Sequence, residues 1–144
     1  PEPTGVVSAI APNDSSLIGL ISIVAPIIAG GNTVVVLASE ENPLCSITFA
    51  EVLHTSDVPG GVVNILTGYR SELLEQFSSH MDVNAIVYCG TEPEEIKLVQ
   101  ENAALNVKRP IVYSDENWLD KNTQDPYRIL NTLETKTTWH PVGV

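Results

Sequence analysis

The sequence predicts an α/β domain: a five-stranded parallel sheet with helices on both faces, followed by a C-terminal extension strand. Three observations predict it. Short apolar runs alternate with helical stretches from Gly5 to Tyr113. Those runs are near-continuously apolar rather than alternating, as strands buried on both faces must be. The connections are short, which suits strand–helix–strand units with right-handed crossovers.

The first strand is Gly5 to Ala11 (GVVSAIA), stopped by Pro12. Asn13-Asp14-Ser15-Ser16 offers several N-caps for a helix over Leu17 to Ala29, which Gly30-Gly31 closes. Thr33 to Leu37 (TVVVL) is the second strand. Pro43 suits the first turn of a helix running to about His54. Val62 to Leu66 (VVNIL) is the third strand. Ser71 to about Ser79 is an amphipathic helix with Leu73, Leu74 and Phe77 on one face. Ala85 to Cys89 (AIVYC) is the fourth strand. Thr91 is the expected cap of the next helix, whose first turn holds Glu92, Pro93, Glu94 and Glu95 and so complements the helix dipole. Ile96, Val99 and Ala103 continue it at helical spacing. Arg109 to Tyr113 (RPIVY) is the fifth strand.

After Ser114 the pattern changes. Residues 1–114 read as the sheet domain, 115–126 as a polar, acidic linker and 127–144 as an extension. Tyr127 to Thr132 suits a short helix or a strand. Glu134 to Trp139 (ETKTTW) has the β-branched composition of a strand, without a hairpin partner in the chain. A lone strand must pair with something, so it points to another chain or domain.

Charge excludes several functions. The net charge is −11 with only seven Lys and Arg, so neither a nucleic acid nor an anionic membrane surface is an expected partner. Ser15 to Ser39 carries no charge, but Pro26 and Gly30-Gly31-Asn32 interrupt it; it reads as buried helix, turn and strand, not a membrane span. The N-terminus is acidic and proline-rich rather than basic then apolar, which is not a secretory pattern. A cytoplasmic setting with both cysteines reduced is expected. Pro1 in place of Met suits a piece of a longer chain.

Several motifs in order carry a resemblance. Glu2-Pro3-Thr4-Gly5-Val6-Val7 with Ile10-Ala11-Pro12 resembles the "EPxGVV…IxPWN" opening of the aldehyde dehydrogenase superfamily. Ala25-Pro26 and Ala29-Gly30-Gly31-Asn32-Thr33-Val34-Val35 resemble its "AP…AAGNTVV", and Ser39-Glu40 the end of its "KPSE". Phe49 to Leu53, Pro59 to Gly68 and Gly90-Thr91 resemble later landmarks. The similarity runs through residues 1 to 113, and it implies a Rossmann-like nucleotide-binding domain. Tyr127 to Trp139 resembles the family's terminal strand, which implies pairing with a neighbouring subunit. A short segment stands where the family carries its catalytic domain. This arrangement resembles the truncated second module of family-16 aldehyde dehydrogenases.

The resemblance also implies which chemistry is gone. The family's nucleophilic cysteine and glutamate base fall in the missing region. Asp14 occupies the position of its oxyanion-stabilising asparagine, and an ionised carboxylate cannot donate a hydrogen bond. Asp14 therefore reads as a turn or cap residue, and Asn13, at the family's Trp position, does not replace it. Cys45 and Cys89 read as small buried hydrophobes. His54, His80 and His140 share no metal-ligand spacing and read as surface residues.

Pro12, Glu40, Gly90 and Thr91 match cofactor-binding positions. Glu40 is retained from the ribose clamp, but its lysine partner is Leu37. Glu94 and Glu95 stand where the family has a small apolar residue and a glycine. A like-charge pair at about 4 Å costs on the order of 4 kcal/mol at an effective dielectric of 20. No cofactor is therefore expected, with NAD as the alternative.

The leading expectation is a non-catalytic module that docks on, or oligomerises, an aldehyde dehydrogenase through Tyr127–Trp139. The partner is a catalytic module or a second copy. The alternative is the cofactor half of an active NAD(P)-dependent aldehyde dehydrogenase that oxidises aldehydes to carboxylic acids. A third reading is a small-molecule regulatory site in the crevice at the strand ends.

Overall fold

A computed structural model describes residues 1–141 and 143. Val142 and Val144, the end of the expected extension, lie outside the described residues. Among the described residues seven strands form: β1 Glu2–Pro3, β2 Val6–Ile10, β3 Thr33–Leu37, β4 Val63–Leu66, β5 Ala85–Cys89, β6 Arg109–Tyr113 and β7 Leu133–Glu134. The helices are α1 Ile18–Ala29, α2 Leu44–His54, α3 Arg70–Ser79 and α4 Pro93–Leu105, with 3₁₀ turns at Lys121–Thr123 and Pro126–Thr132.

The main sheet has the order β4-β3-β2-β5-β6, and every pairing within it is parallel. The chain leaves β2 in one direction and returns to its other side at β5. The β2/β5 boundary is thus the topological switch point, where doubly wound sheets open a crevice.

Alternate strand residues face opposite layers. Val7, Ala9, Val34, Val36, Ala85 and Val87 meet Leu20, Ile23, Val24 and Ile27 of α1. On the other face Ile10, Leu37, Ile86 and Tyr88 meet Leu74 and Phe77 of α3 and Val99 of α4. Each fully buried aliphatic side chain contributes about 1.5–3 kcal/mol, which explains why the strand runs admit so few polar residues. Ser8 is an exception, buried with its hydroxyl donating to the Phe77 carbonyl at 2.9 Å.

Gly31 ends α1 in a left-handed conformation, φ 85°, and turns the chain into β3. The next residue, Asn32, is 1% exposed. Its Oδ1 accepts from Gly5 N–H at 2.8 Å, and its Nδ2 donates to the Thr132 carbonyl at 2.9 Å. One amide thereby ties the start of β2 to the terminal extension.

Four sequence expectations need correction. Thr91 does not cap α4; Glu92 holds the N-cap position, without a side-chain cap bond. Asp14, read as a turn or cap residue, is the turn residue, with Leu17 the N-cap of α1. Cys45 is exposed, because α2 buries only Ser46 while Leu44, Ile47 and Val52 face outward.

Residues 115–126 do not run free as a linker. Trp118 is 3% exposed and joins the α1-side core, with its ring edge-on to Tyr113 at 6.0 Å. The terminal strand is also shorter and sits elsewhere than its composition predicted. Leu133–Glu134 pairs antiparallel with Glu2–Pro3, and residues 135–141 take no regular structure. Threonine-rich sequence favours a pleated surface only where a partner strand provides one. Tyr127 to Thr132, read as helix or strand, is 3₁₀ helix.

Candidate functional site

A cleft of about 840 Å³ opens at the C-terminal ends of β2 and β5. Pro12, Asp14, Glu40, Gly90 and Thr91 all line it, as do Glu95 and Cys89. The structure thus gathers the sequence-derived candidates from three loops. Leu37 is not among them: it is fully buried in the core on the α3 side. His54, His80 and His140 are exposed, and the described residues contain no cluster of metal-ligating side chains.

Sequence reasoning missed the residue at the centre of this cleft, Arg70. Its Nη2 donates to the carbonyl of Ala11 at 2.6 Å and to that of Cys89 at 3.1 Å. It thereby bridges the chain just past β2 and the end of β5. Its Nη1 lies 3.9 Å from Glu95 Oε2, and the guanidinium sits 5.8 Å from the centroid of Tyr88. The Tyr88 hydroxyl donates to the same Glu95 oxygen at 2.6 Å. Burial, then the bond to Glu95, pushes the Tyr88 phenol well above its ordinary range, so it stays a donor. One signal was available in the sequence. A basic residue opening a helix opposes the dipole unless something compensates it. Here Glu40 compensates, its carboxylate accepting the Arg70 backbone N–H.

The cleft is otherwise acidic. Asp14, Glu40, Glu92, Glu95, Asp115 and Glu116 line it, with Arg70 the one Lys or Arg in its wall. Asp14 is exposed. Cys89, the one thiol lining the cleft, is 1% exposed, and burial pushes it up to about 12. At neutral pH it is a thiol, not the thiolate that a nucleophile requires.

The far wall comes from the segment that follows β6. The Arg128 guanidinium lies 4.4 Å from the Tyr113 ring centroid and 5.0 Å from that of Trp118. Its Nη2 pairs with Glu116 at 2.9 Å. A lone tryptophan in an otherwise acidic stretch was the sequence signal for this packing.

Comparison with known proteins decides the family. The profile of the aldehyde dehydrogenase family matches residues 1–113. The chain belongs to the aldehyde dehydrogenase family.

A butyrolactone dehydrogenase of Acinetobacter baylyi, (Z)-2-((N-methylformamido)methylene)-5-hydroxybutyrolactone dehydrogenase, is 40% identical over 108 residues, 75% of this chain and 22% of its own length. Human aldehyde dehydrogenase 1A1 is 38% identical over 109 residues, again 75% of this chain and 22% of its own. Among solved structures, aldehyde dehydrogenase C of Pseudomonas syringae, complexed with NAD+ and octanal, superposes with a TM-score of 0.75 at 35% identity. It covers 78% of this chain, which spans 23% of that protein. The chain therefore spans about a fifth of the length of the dehydrogenases it matches.

The family implies a nicotinamide dinucleotide, and the residues of this aldehyde dehydrogenase segment do not fit one. A Cβ placed on Gly90 would lie 2.6 Å from the Tyr88 hydroxyl and 3.0 Å from Arg70 Nη1. The space on the Cβ side of that glycine is already filled by the protein's own side chains.

Proposed function

We propose that this chain is a non-catalytic aldehyde-dehydrogenase-like module that acts in docking or oligomerisation of an aldehyde dehydrogenase, in the cytoplasm. The observation that carries the reading is the geometry of the terminal segment. It is anchored firmly at its root and then leaves the sheet without a partner among the described residues.

At the root, the Thr132 carbonyl accepts from Thr4 N–H at 3.2 Å, Thr4 Oγ1 at 2.9 Å and Asn32 Nδ2 at 2.9 Å. Arg109 Nη1 donates to the Leu133 carbonyl at 2.6 Å. After Glu134, among the described residues, the Lys136–Glu2 ion pair, 2.7 Å, keeps the tail near β1, and Trp139 is 88% exposed. A fixed base followed by exposed strand-forming residues suits addition to a sheet edge of a catalytic module or a second copy. A tryptophan supplies the apolar anchor that such contacts favour. No helix among the described residues is long and apolar enough to cross a membrane.

The test is truncation at Thr135, which spares the root. Size-exclusion chromatography with light scattering on the whole protein, with and without residues 135–144, should show loss of association while far-UV circular dichroism is unchanged. An unchanged oligomeric state and unchanged partner binding would overturn the reading.

A further inference from the structure

The same cleft supports a second conclusion, independent of the tail. We propose that Arg70 is a resident block within the nucleotide crevice: the cleft is open, but with Glu95 and Tyr88 it occupies the phosphate approach beside Gly90, bars dinucleotides there and serves as a structural staple.

A diphosphate bound at such a crevice needs three things: free N–H groups at a helix N-terminus, glycine backbone it can approach closely, and an unopposed positive charge. Each is taken here by the chain itself. The first N–H of α3, that of Arg70, is bound by the Glu40 carboxylate. The first turn of α4 carries Glu94 and Glu95, which neutralise its dipole from within. The Cβ side of Gly90 is occupied by the Tyr88 hydroxyl and Arg70 Nη1.

The positive charge of Arg70 is likewise committed. Its side chain is 12% exposed, and its donors already reach Ala11, Cys89 and the vicinity of Glu95. Those first two acceptors lie on opposite sides of the switch point, so the guanidinium holds the two halves of the sheet together where they would otherwise part. With six carboxylates along the walls, the net field in the cleft repels a polyanion.

Calorimetric titration of the whole chain with NAD+ and with inorganic diphosphate tests this. The wild type should show no saturable binding at millimolar concentration of either. Glu95→Gln keeps an acceptor for Tyr88 and removes the charge beside Arg70, so diphosphate should bind at least about tenfold more tightly than to wild type. Arg70→Gly/Glu95→Gly removes both side chains and should gain measurable NAD+ binding. Should that double variant fail to fold, Glu95→Gln still decides. Saturable NAD+ binding by the wild type, weakened by Arg70→Ala, would make Arg70 a ligand contact and overturn the proposal. A folded double variant that still ignores NAD+, or a Glu95→Gln variant no better than wild type, would overturn it too. None of these results bears on truncation at Thr135, so the two readings fail separately.

Discussion

The Arg128 guanidinium lies 5.0 Å from the Trp118 ring centroid and joins two turns of the segment after β6 into one packed unit. The Tyr113 ring centroid lies 4.4 Å from the same guanidinium, and Glu116 pairs with it at 2.9 Å. This cluster lets the sheet domain end cleanly: Trp118 shares the α1-side core with Ala11, just past β2, and Cys89, the end of β5.

Removing Arg128 should therefore loosen the whole segment. Its side chain is 9% exposed, so Arg128→Ala leaves Glu116 without its partner and two rings without a planar neighbour. We expect a loss of about 2–4 kcal/mol, the range for breaking a largely buried pair plus a cation–π contact. Arg128→Lys should recover little, because an ammonium does not stack as a planar guanidinium does. Urea denaturation followed by tryptophan fluorescence reads both, since Trp118 reports on the site directly. A loss within error of zero for Arg128→Ala would mean that the segment is held by other contacts.

The contrast between what the sequence disclosed and what it hid follows from range. The five strands of the sheet and the four helices were legible because apolar periodicity is a local signal, and Gly30-Gly31 or Pro12 punctuates it. The doubly wound arrangement followed from the right-handed crossover rule. The Arg70 network was not legible, since Ala11, Arg70, Cys89 and Glu95 meet only after three crossovers bring their loops together. The β1–β7 pairing involves two residues on each side, too few for any period to show. Cys45 misled because an apolar helix normally hides its apolar face, whereas α2 buries only Ser46 and leaves Leu44, Ile47 and Val52 outward. The candidate site itself was half legible: Pro12, Glu40, Gly90 and Thr91 converge and Glu95 stands beside them, but Arg70 and Tyr88, which occupy the space between them, were assigned no role.

Asn32 should be the most sensitive polar residue. Asn32→Ala strands the Gly5 N–H and removes one donor from the Thr132 carbonyl, at about 2–3 kcal/mol. Asn32→Asp should cost more, because its carboxylate would face the Ile27 and Thr132 carbonyl oxygens in a buried site. Protonation restores a donor, so that variant should regain stability as the pH falls through the raised value of the introduced carboxyl. Thermal denaturation across pH, paired with limited proteolysis of the terminal segment, separates the two. Equal, pH-independent losses would contradict the role given to Nδ2.

Val107 is the opposite case, a position where the native residue costs stability. It has φ 57°, it is β-branched, and it is 95% exposed. The left-handed conformation lets the Lys108 N–H return to the Ala103 carbonyl at 2.9 Å and close α4. A side chain there gains no packing and pays a steric penalty of about 1–2 kcal/mol. Val107→Gly should raise stability by about 1 kcal/mol after the greater freedom of unfolded glycine is counted. A lower melting temperature for that variant would contradict this account.

The two cysteines should part company in reactivity and in pH dependence. Cys45 is exposed and should react with Ellman's reagent at once, while Cys89 should react only on unfolding. Burial holds the Cys89 thiol up to about 12 against an ordinary value near 9. Because the folded value is the higher one, the folded state retains its proton where the unfolded state has lost it. The stabilising effect of the neutral thiol is thus full below about pH 9 and is lost as the pH rises to about 12. A shift of this size corresponds to on the order of 4 kcal/mol across that window. Cys89→Ala should flatten the alkaline limb of a stability–pH curve and leave the neutral region little changed, and Cys45→Ala should do neither. If Cys89 were instead alkylated rapidly in the folded protein at neutral pH, the thiol would be open to the cleft. The chain would then hold a nucleophile of the kind the family uses, and the non-catalytic reading would lose one of its supports.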